Sequence, residues 1–216
     1  MSKIVLDNRL NDMKKTLKGS TMLGPLPPVM VSCRLGDKDN IITAAWTGTI
    51  NTRPPKTYVS IRPTRYSYNI IKESGEFVIN LTPASLVGAA DYCGTYTGAK
   101  VDKFKECGLT KEEATEINAP MIAECPVSLE CKVFDVIPLG SHDMFLADIV
   151  AVNVAEELFD GEGKIHMERA DLVAFLHGAY YSLGEKLDKI GCGIVKKGSK
   201  KMAKNGPKKP PEKKKK

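Results

Sequence analysis

The sequence predicts a mainly β fold: an antiparallel barrel, closed or split open, with helices at its periphery. Three observations predict it. Val127, Leu129, Cys131 and Val133 alternate with Ser128, Glu130 and Lys132, the period of two expected of a half-buried strand with its polar set toward solvent. The other apolar runs are short and joined by tight turns, with helices inserted between only some of them. No strand is followed by G-x-G-x-x-G, and no G-x-x-x-x-G-K-[ST] occurs, which disfavours the doubly wound nucleotide folds.

The elements follow in order. Residues 1–20 are polar, with Leu6, Leu10, Met13 and Leu17 at helical steps, and predict a surface helix or arm. A proline-rich turn at Gly24–Pro28 precedes a strand from Val29 to Leu35. The polar turn Gly36–Asn40 leads into a second strand, Ile41 to Ile50, so the pair reads as a hairpin. Asn51–Pro55 breaks the pattern, and Thr57–Arg62 restores it as a third strand. Thr64 or Ser67 caps a helix carrying Tyr68, Ile70 and Ile71, which Gly75 ends. Glu76–Leu81 is a strand and Pro83 to about Tyr92 a helix; Cys93–Glu116 is loop with a short helix in Val101–Cys107. At Phe134–Val136 the alternation changes phase, as at a bulge. Pro138–Asp143 turns the chain into a strand from Met144 to Val154, and short apolar pieces in 170–187 are broken by Gly178 and Gly184.

The 216 residues, 42% hydrophobic and 27% charged, suffice for a core that needs no disulfide or structural metal. The expected division is an arm over 1–20, one domain over 21–195 and a disordered lysine-rich tail over 196–216. No membrane span is present, and acids and bases stand where a signal peptide needs its apolar stretch, so the expected location is cytoplasmic. Of the 32 basic and 26 acidic residues, eleven lysines and one glutamate lie in 196–216, which leaves residues 1–195 at a net −4. The excess positive charge of the chain is therefore in the tail, which reads either as a solvated segment or as an electrostatic tether to nucleic acid, anionic lipid or an acidic protein. The acidic body, without aromatic–basic interleaving on any strand, argues against a nucleic-acid-binding domain. Cys33, Cys93, Cys107, Cys125, Cys131 and Cys192 include no C-x-x-C, and His142, His166 and His177 are scattered, so no metal site is expected.

Residues 43–67 concentrate the chemistry. Ala44, Ala45 and Gly48 surround the single tryptophan, Trp46, and small side chains let a flat ligand approach the backbone. Arg62, Thr64, Arg65, Tyr66 and Ser67 follow just before a predicted helix. Two guanidiniums and hydroxyls at a helix N-terminus suit a phosphate; the same residues also read as a surface turn with a helix cap.

The segments NIITAAWTGTINTRPPKTYVSIRPTRYSYNIIKESGEFVINL (40–81), DYCGTYTGAKVDKF (91–104), APMIAECPVSLECKV (119–133) and LGSHDMFLADIVAV (139–152) together resemble the flavin reductase-like family, and most of all its flavoredoxin-type branch. The resemblance covers about 30–185 and implies the FMN-binding split barrel, with FMN in a groove at a homodimer interface. By position it implies that Ala45, Trp46, Thr47 and Thr49 line the flavin ring, with Ser60, Ile61 and Arg62 beside it. It further implies that Thr64, Arg65, Tyr66 and Ser67 hold the phosphate, with Asn80 and Lys103 near the flavin. His142 matches a family histidine close to the nicotinamide or flavin, but Ser141 stands where the family usually has Asp. Cys93 also falls in a family motif and reads as a buried thiol. The implied activity is transfer of reducing equivalents from NAD(P)H through FMN to a flavin, ferric chelate or other acceptor. The alternatives are a flavoredoxin-like electron carrier with a protein partner, its lysine tail docking an acidic redox protein, and a flavin-binding module without turnover.

Overall fold

The structure, a computed structural model, describes residues 14–193. The chain divides into two compact units, Met1–Leu183 and Gly184–Lys216. Most of the predicted N-terminal helix falls in residues 1–13, outside the described residues, and 14–20 carry no helix. The lysine-rich tail also lies outside the described residues.

The first unit is built on one seven-stranded antiparallel sheet. Its strands are β1 (Val29–Leu35), β2 (Lys38–Ala44), β3 (Thr47–Thr52), β4 (Pro55–Ile61), β5 (Glu76–Leu81), β8 (Val127–Pro138) and β9 (Asp143–Val154), in the spatial order β2-β1-β5-β8-β9-β4-β3. The helices are α1 (Tyr66–Ser74), α2 (Val87–Thr95) and the one-turn α3 (Lys103–Glu106). Two small ribbons, β6 (Lys111–Glu112) with β7 (Met121–Ile122) and β10 (Val173–Leu176) with β11 (Ala179–Ser182), complete it. Among the described residues, no helix is long and apolar enough to cross a membrane.

The predicted strand from Ile41 to Ile50 is in fact two. It stops at Ala44 and resumes at Thr47, and these two pieces are the outermost strands at opposite ends of the sheet. The sheet thus curls until its ends approach, and the two residues Ala45 and Trp46 span the seam. The barrel is split there: among the described residues β2 pairs only with β1, while Trp46 O accepts a hydrogen bond from Ser60 N of β4 at 2.9 Å. A sequence pattern reports burial and not the partner strand, so a corner lined with small residues reads as continuous strand.

The two faces of the sheet pack into different clusters. Val31, Ile42, Val59, Ile61, Phe77 and Phe145 fill the barrel with Ile71 of α1, while Met30 and Ile41 point the other way, under Ala90, Cys93 and Phe104 of α2 and α3. Gly36, at φ +57°, makes the two-residue β1–β2 turn in a conformation that costs glycine little.

In β8 the expected phase change is present as a register shift between Val133 and Asp135. The expected solvent face is not. Ser128 and Glu130 are buried, because the segment carrying Ile117, Ala119 and Met121 packs over that side of the sheet. Glu130 is fully enclosed and accepts hydrogen bonds from Thr115 N and Oγ1, Glu116 N and Asn153 Nδ2 at 2.7–2.9 Å.

Asn80 is the second buried polar hub. Its Nδ2 donates to Met30 O and Ser32 Oγ, both at 2.9 Å, while its Oδ1 accepts from Ile122 N at 3.0 Å and Ser128 Oγ at 2.8 Å. Every hydrogen-bonding position of the amide is used to join β1, β5, β7 and β8, and none is left for a ligand. This corrects the expectation that Asn80 lies at the flavin. Asn80→Ala is expected to cost about 2–3 kcal/mol of stability by leaving buried donors and acceptors unpaired. Urea denaturation would measure it, and a loss under about 0.5 kcal/mol, the usual range for a surface substitution, would contradict the role assigned.

Candidate functional site

The seam forms a groove of about 290 Å³ between Ile42–Trp46 on one rim and Ser60–Arg62 on the other, with Arg65 and His142 at its border. Ala44 and Ala45, which carry only methyl groups, line it together with Trp46. Strand β3 begins at Thr47, opposite Val59, so the end of β4 beyond Ser60 has no β3 partner there. Backbone polar groups along the seam therefore face the groove instead of a neighbouring strand.

The groove continues past Ile42 and Arg65 into a smaller pocket of about 60 Å³, which shares both residues. Asn40, Thr64, Tyr66, Ser67, Thr97 and Lys103 surround it. This pocket sits at the N-terminus of α1. Neither Thr64 nor Ser67 caps that helix: the N-cap residue is Arg65, with no side-chain cap hydrogen bond. The Ser67 hydroxyl instead accepts from Asn40 Nδ2 at 2.7 Å, so the first-turn N–H groups of Tyr66 and Ser67 have no side-chain cap. The expected helix end is present, with Gly75 at φ +70° donating its N–H to Ile71 O.

The electrostatics of this corner are one-sided. Among the described residues neither Arg62 nor Arg65 has a carboxylate partner. Lys103, buried at the base of the small pocket, donates from Nζ to Ile41 O at 2.6 Å and Cys93 O at 2.7 Å. Burial holds the Lys103 ammonium below its usual pKa, and the Arg65 charge pushes the same way. At the other border His142 is half-buried, its Nδ1 3.0 Å from the Ser141 hydroxyl. Burial first, then the charges of Arg62 and Arg65, lower its pKa from the ordinary 6.5, so the ring is neutral at neutral pH.

The structure brings Ala45, Trp46, Ser60, Ile61, Arg62, Arg65 and His142 to the groove, and Thr64, Tyr66, Ser67 and Lys103 to the adjoining pocket. It does not bring Thr47, Thr49 or Asn80 to either. Thr47 is buried with its hydroxyl donating to Tyr58 O at 2.6 Å, and Thr49 is exposed on β3 opposite Thr57. Past the seam, alternate residues of β3 face away from the groove. The sequence reading did not single out Asn40, Thr97 and Gly98. A Cβ on Gly98 would lie 2.0 Å from Asn40 Oδ1 and 2.9 Å from the Tyr66 ring, so only glycine lets this loop close on the pocket. The one available signal was a glycine inside a polar Thr/Tyr loop.

The residues fit a phosphorylated planar ring. A flat ring matches the groove with open backbone edges. A compact anion matches a polar pocket of about 60 Å³, formed by a helix N-terminus beside guanidiniums that have no carboxylate partner among the described residues.

Comparison with known proteins gives concordant matches. The family model described as the flavin reductase like domain matches residues 23–184. The flavoredoxin of Desulfovibrio vulgaris (Miyazaki F) is 34% identical, with a TM-score of 0.78 over 84% of this chain and 99% of that one. The flavoredoxin from Methanosarcina acetivorans is 25% identical, with a TM-score of 0.76 over 82% of this chain and 95% of its own. An uncharacterized protein of Archaeoglobus fulgidus is 33% identical over 130 residues, 60% of this chain and 73% of that protein.

Proposed function

The chain belongs to the flavin reductase-like family, and on that premise we propose that it is an FMN-dependent oxidoreductase that moves reducing equivalents from NAD(P)H to a further acceptor. The observation that carries the reading is the uncapped N-terminus of α1 beside Arg62 and Arg65, opening into the seam groove. On this reading the phosphate lies in the small pocket and the ring along Ala45, Trp46, Ser60 and Ile61. FMN, when bound, supplies a ring that takes up a hydride or single electrons.

The chain's own residues bind, orient and balance charge. Tyr66 and Ser67 N–H and the Arg65 guanidinium hold the dianionic end, which fixes the register of the ring in the groove. Arg62 places a positive charge at the rim, where it stabilises negative charge developing in the groove. His142, neutral and held through Nδ1 by Ser141, stands at the border where a nicotinamide or acceptor would approach, with Nε2 left to meet it. With no dinucleotide fingerprint in the sequence, the nicotinamide would be held by the open groove alone.

A second reading has a specific observation in its favour. The similarity to the Desulfovibrio vulgaris flavoredoxin, at 34% identity over 99% of that chain, supports an electron carrier that exchanges with a protein partner. In that case the lysine-rich tail, at net +10, docks an acidic redox protein. On either reading the protein works in the cytoplasm as a homodimer, which would cover exposed apolar side chains such as Ile50, Phe134 and Val152.

The test is the absorbance spectrum of the purified protein, followed by anaerobic NADH and then NADPH. Flavin bands that bleach promptly with one nucleotide support the reductase and name its donor. Bands that resist both but bleach with dithionite replace it with the carrier. No bands, even after incubation with FMN and desalting, overturn the flavin site.

A further inference from the structure

We propose that Cys93 and Cys107 form a reversible disulfide that staples the α2–α3 segment along the wall of the anion pocket. The two Sγ atoms stand 4.0 Å apart. A disulfide needs about 2.05 Å, a closure of about 2 Å for two side chains already facing each other. Cys93 is fully buried in the last turn of α2, and Cys107 is half-buried directly after α3. Of the other thiols, Cys33, Cys125 and Cys131 are buried and Cys192 is exposed; no other thiol pair among the described residues is in contact.

The position of the pair gives the bond its consequence. Between Cys93 and Cys107 run Thr97, Gly98 and Lys103, three residues of the pocket wall. Lys103 Nζ already ties the far end of this segment to Cys93 O. A covalent link between its two ends restricts the motions by which the wall can swing away from Asn40 and α1. The proposal rests, for that consequence alone, on the pocket being the flavin phosphate site.

The chemistry uses a small peroxide as oxidant. Burial raises the pKa of both thiols, that of Cys93 to about 12, so at rest both are protonated and a bulky disulfide reagent reacts slowly. A small neutral peroxide reaches the half-buried Cys107. The minor fraction of Cys107 that has released its proton to solvent attacks one peroxide oxygen through the thiolate sulfur; the O–O bond breaks, a sulfenic acid forms, and the leaving hydroxide takes up the released proton as water. The Cys93 sulfur then attacks the sulfenic sulfur, the S–O bond breaks, and a second water leaves with the Cys93 proton. Two thiols give up two electrons and two protons, and the peroxide becomes two waters. A dithiol restores both thiols by exchange.

The experiment uses the full chain in a Cys192→Ser background, so that the exposed thiol does not cross-link molecules. The reduced protein is treated with hydrogen peroxide, remaining thiols are alkylated, and peptides are mapped by mass. The expected product is a Cys93–Cys107 peptide pair two hydrogens lighter than the reduced pair, reversed by dithiothreitol and absent in Cys107→Ser. Cys93 and Cys107 both recovered alkylated, or Cys107 carried on to the sulfinic acid without the cross-link, would overturn the proposal. FMN titration of the two forms reads the consequence: retention is expected to be about fivefold or more tighter when oxidised, the low end of ordinary coupling between sites. Cys107→Ser is expected to bind FMN as the reduced protein does and not respond to peroxide. A cross-link with unchanged FMN affinity overturns the staple's role at the pocket. Failure of both forms to bind FMN refutes the flavin site and leaves the cross-link standing.

Discussion

Replacing Arg65 by alanine is expected to weaken FMN binding by about 1.5–3 kcal/mol, roughly a 10- to 150-fold higher Kd, the range for a hydrogen bond to a charged group. Arg65 is the N-cap residue of α1 and borders both the groove and the small pocket, and among the described residues it has no carboxylate partner. Its guanidinium is exposed, so water already solvates the charge and the loss should fall toward the lower end. The decisive comparison is with riboflavin, which has the same ring and no phosphate. Fluorescence titration should show the penalty with FMN and little or none with riboflavin. An equal loss with both ligands would move Arg65 from the phosphate to the ring, and no loss with either would put the phosphate elsewhere.

Glu130→Ala is expected to be the most destabilising single change at a polar residue, by about 3–4 kcal/mol in urea at neutral pH. The carboxylate is enclosed, and its removal takes the acceptor away from Thr115 N, Glu116 N and Asn153 Nδ2 at once. Burial works against the charge, yet these donors and the Thr115 hydroxyl outweigh it and hold the carboxyl below the ordinary glutamate range. A depressed carboxylate contributes stability that is present above its unfolded pKa, about 4.3, and is lost as the pH falls through the folded value. The deficit of the variant should therefore be full at pH 7 and narrow in acid below about pH 4. A deficit that stays constant with pH would show that packing, and not the hydrogen-bonded charge, accounts for the loss.

Most strands were legible because their signals are local. Val29–Leu35 and Glu76–Leu81 agree residue for residue with β1 and β5, and the phase change at Phe134–Val136 agrees with the register shift in β8. What a one-dimensional pattern lacks is the neighbour. It cannot say that Ala44 and Thr47 belong to opposite ends of a sheet, nor that a distant segment covers Ser128 and Glu130. The same gap explains the site. Arg62, Arg65 and Ser67 were legible as a cluster because the strand-to-helix corner that carries them is built within a few residues. Asn80 was misplaced because, for an amide in a strand, the difference between a ligand contact and a structural hub lies entirely in which strands surround it. Asn40 and Gly98 meet across a long stretch of chain, and neither carries a sign of the other.

The split between the two ends of the sheet, β2 and β3, bears on the folding of the whole domain. The backbone hydrogen-bond circuit of the barrel runs through seven strands and is interrupted at one place, between residues joined by a two-residue corner. A molecule lying across that gap and bonded to both rims completes the circuit, so its affinity becomes part of the stability of the sheet itself. At one hundred times its Kd such an occupant adds about 2.7 kcal/mol to the folded state. Amides of β2 and of the end of β4 would then exchange with solvent more slowly in the loaded protein. An occupant bonded to both rims would serve as an eighth strand of the architecture as well as a ligand.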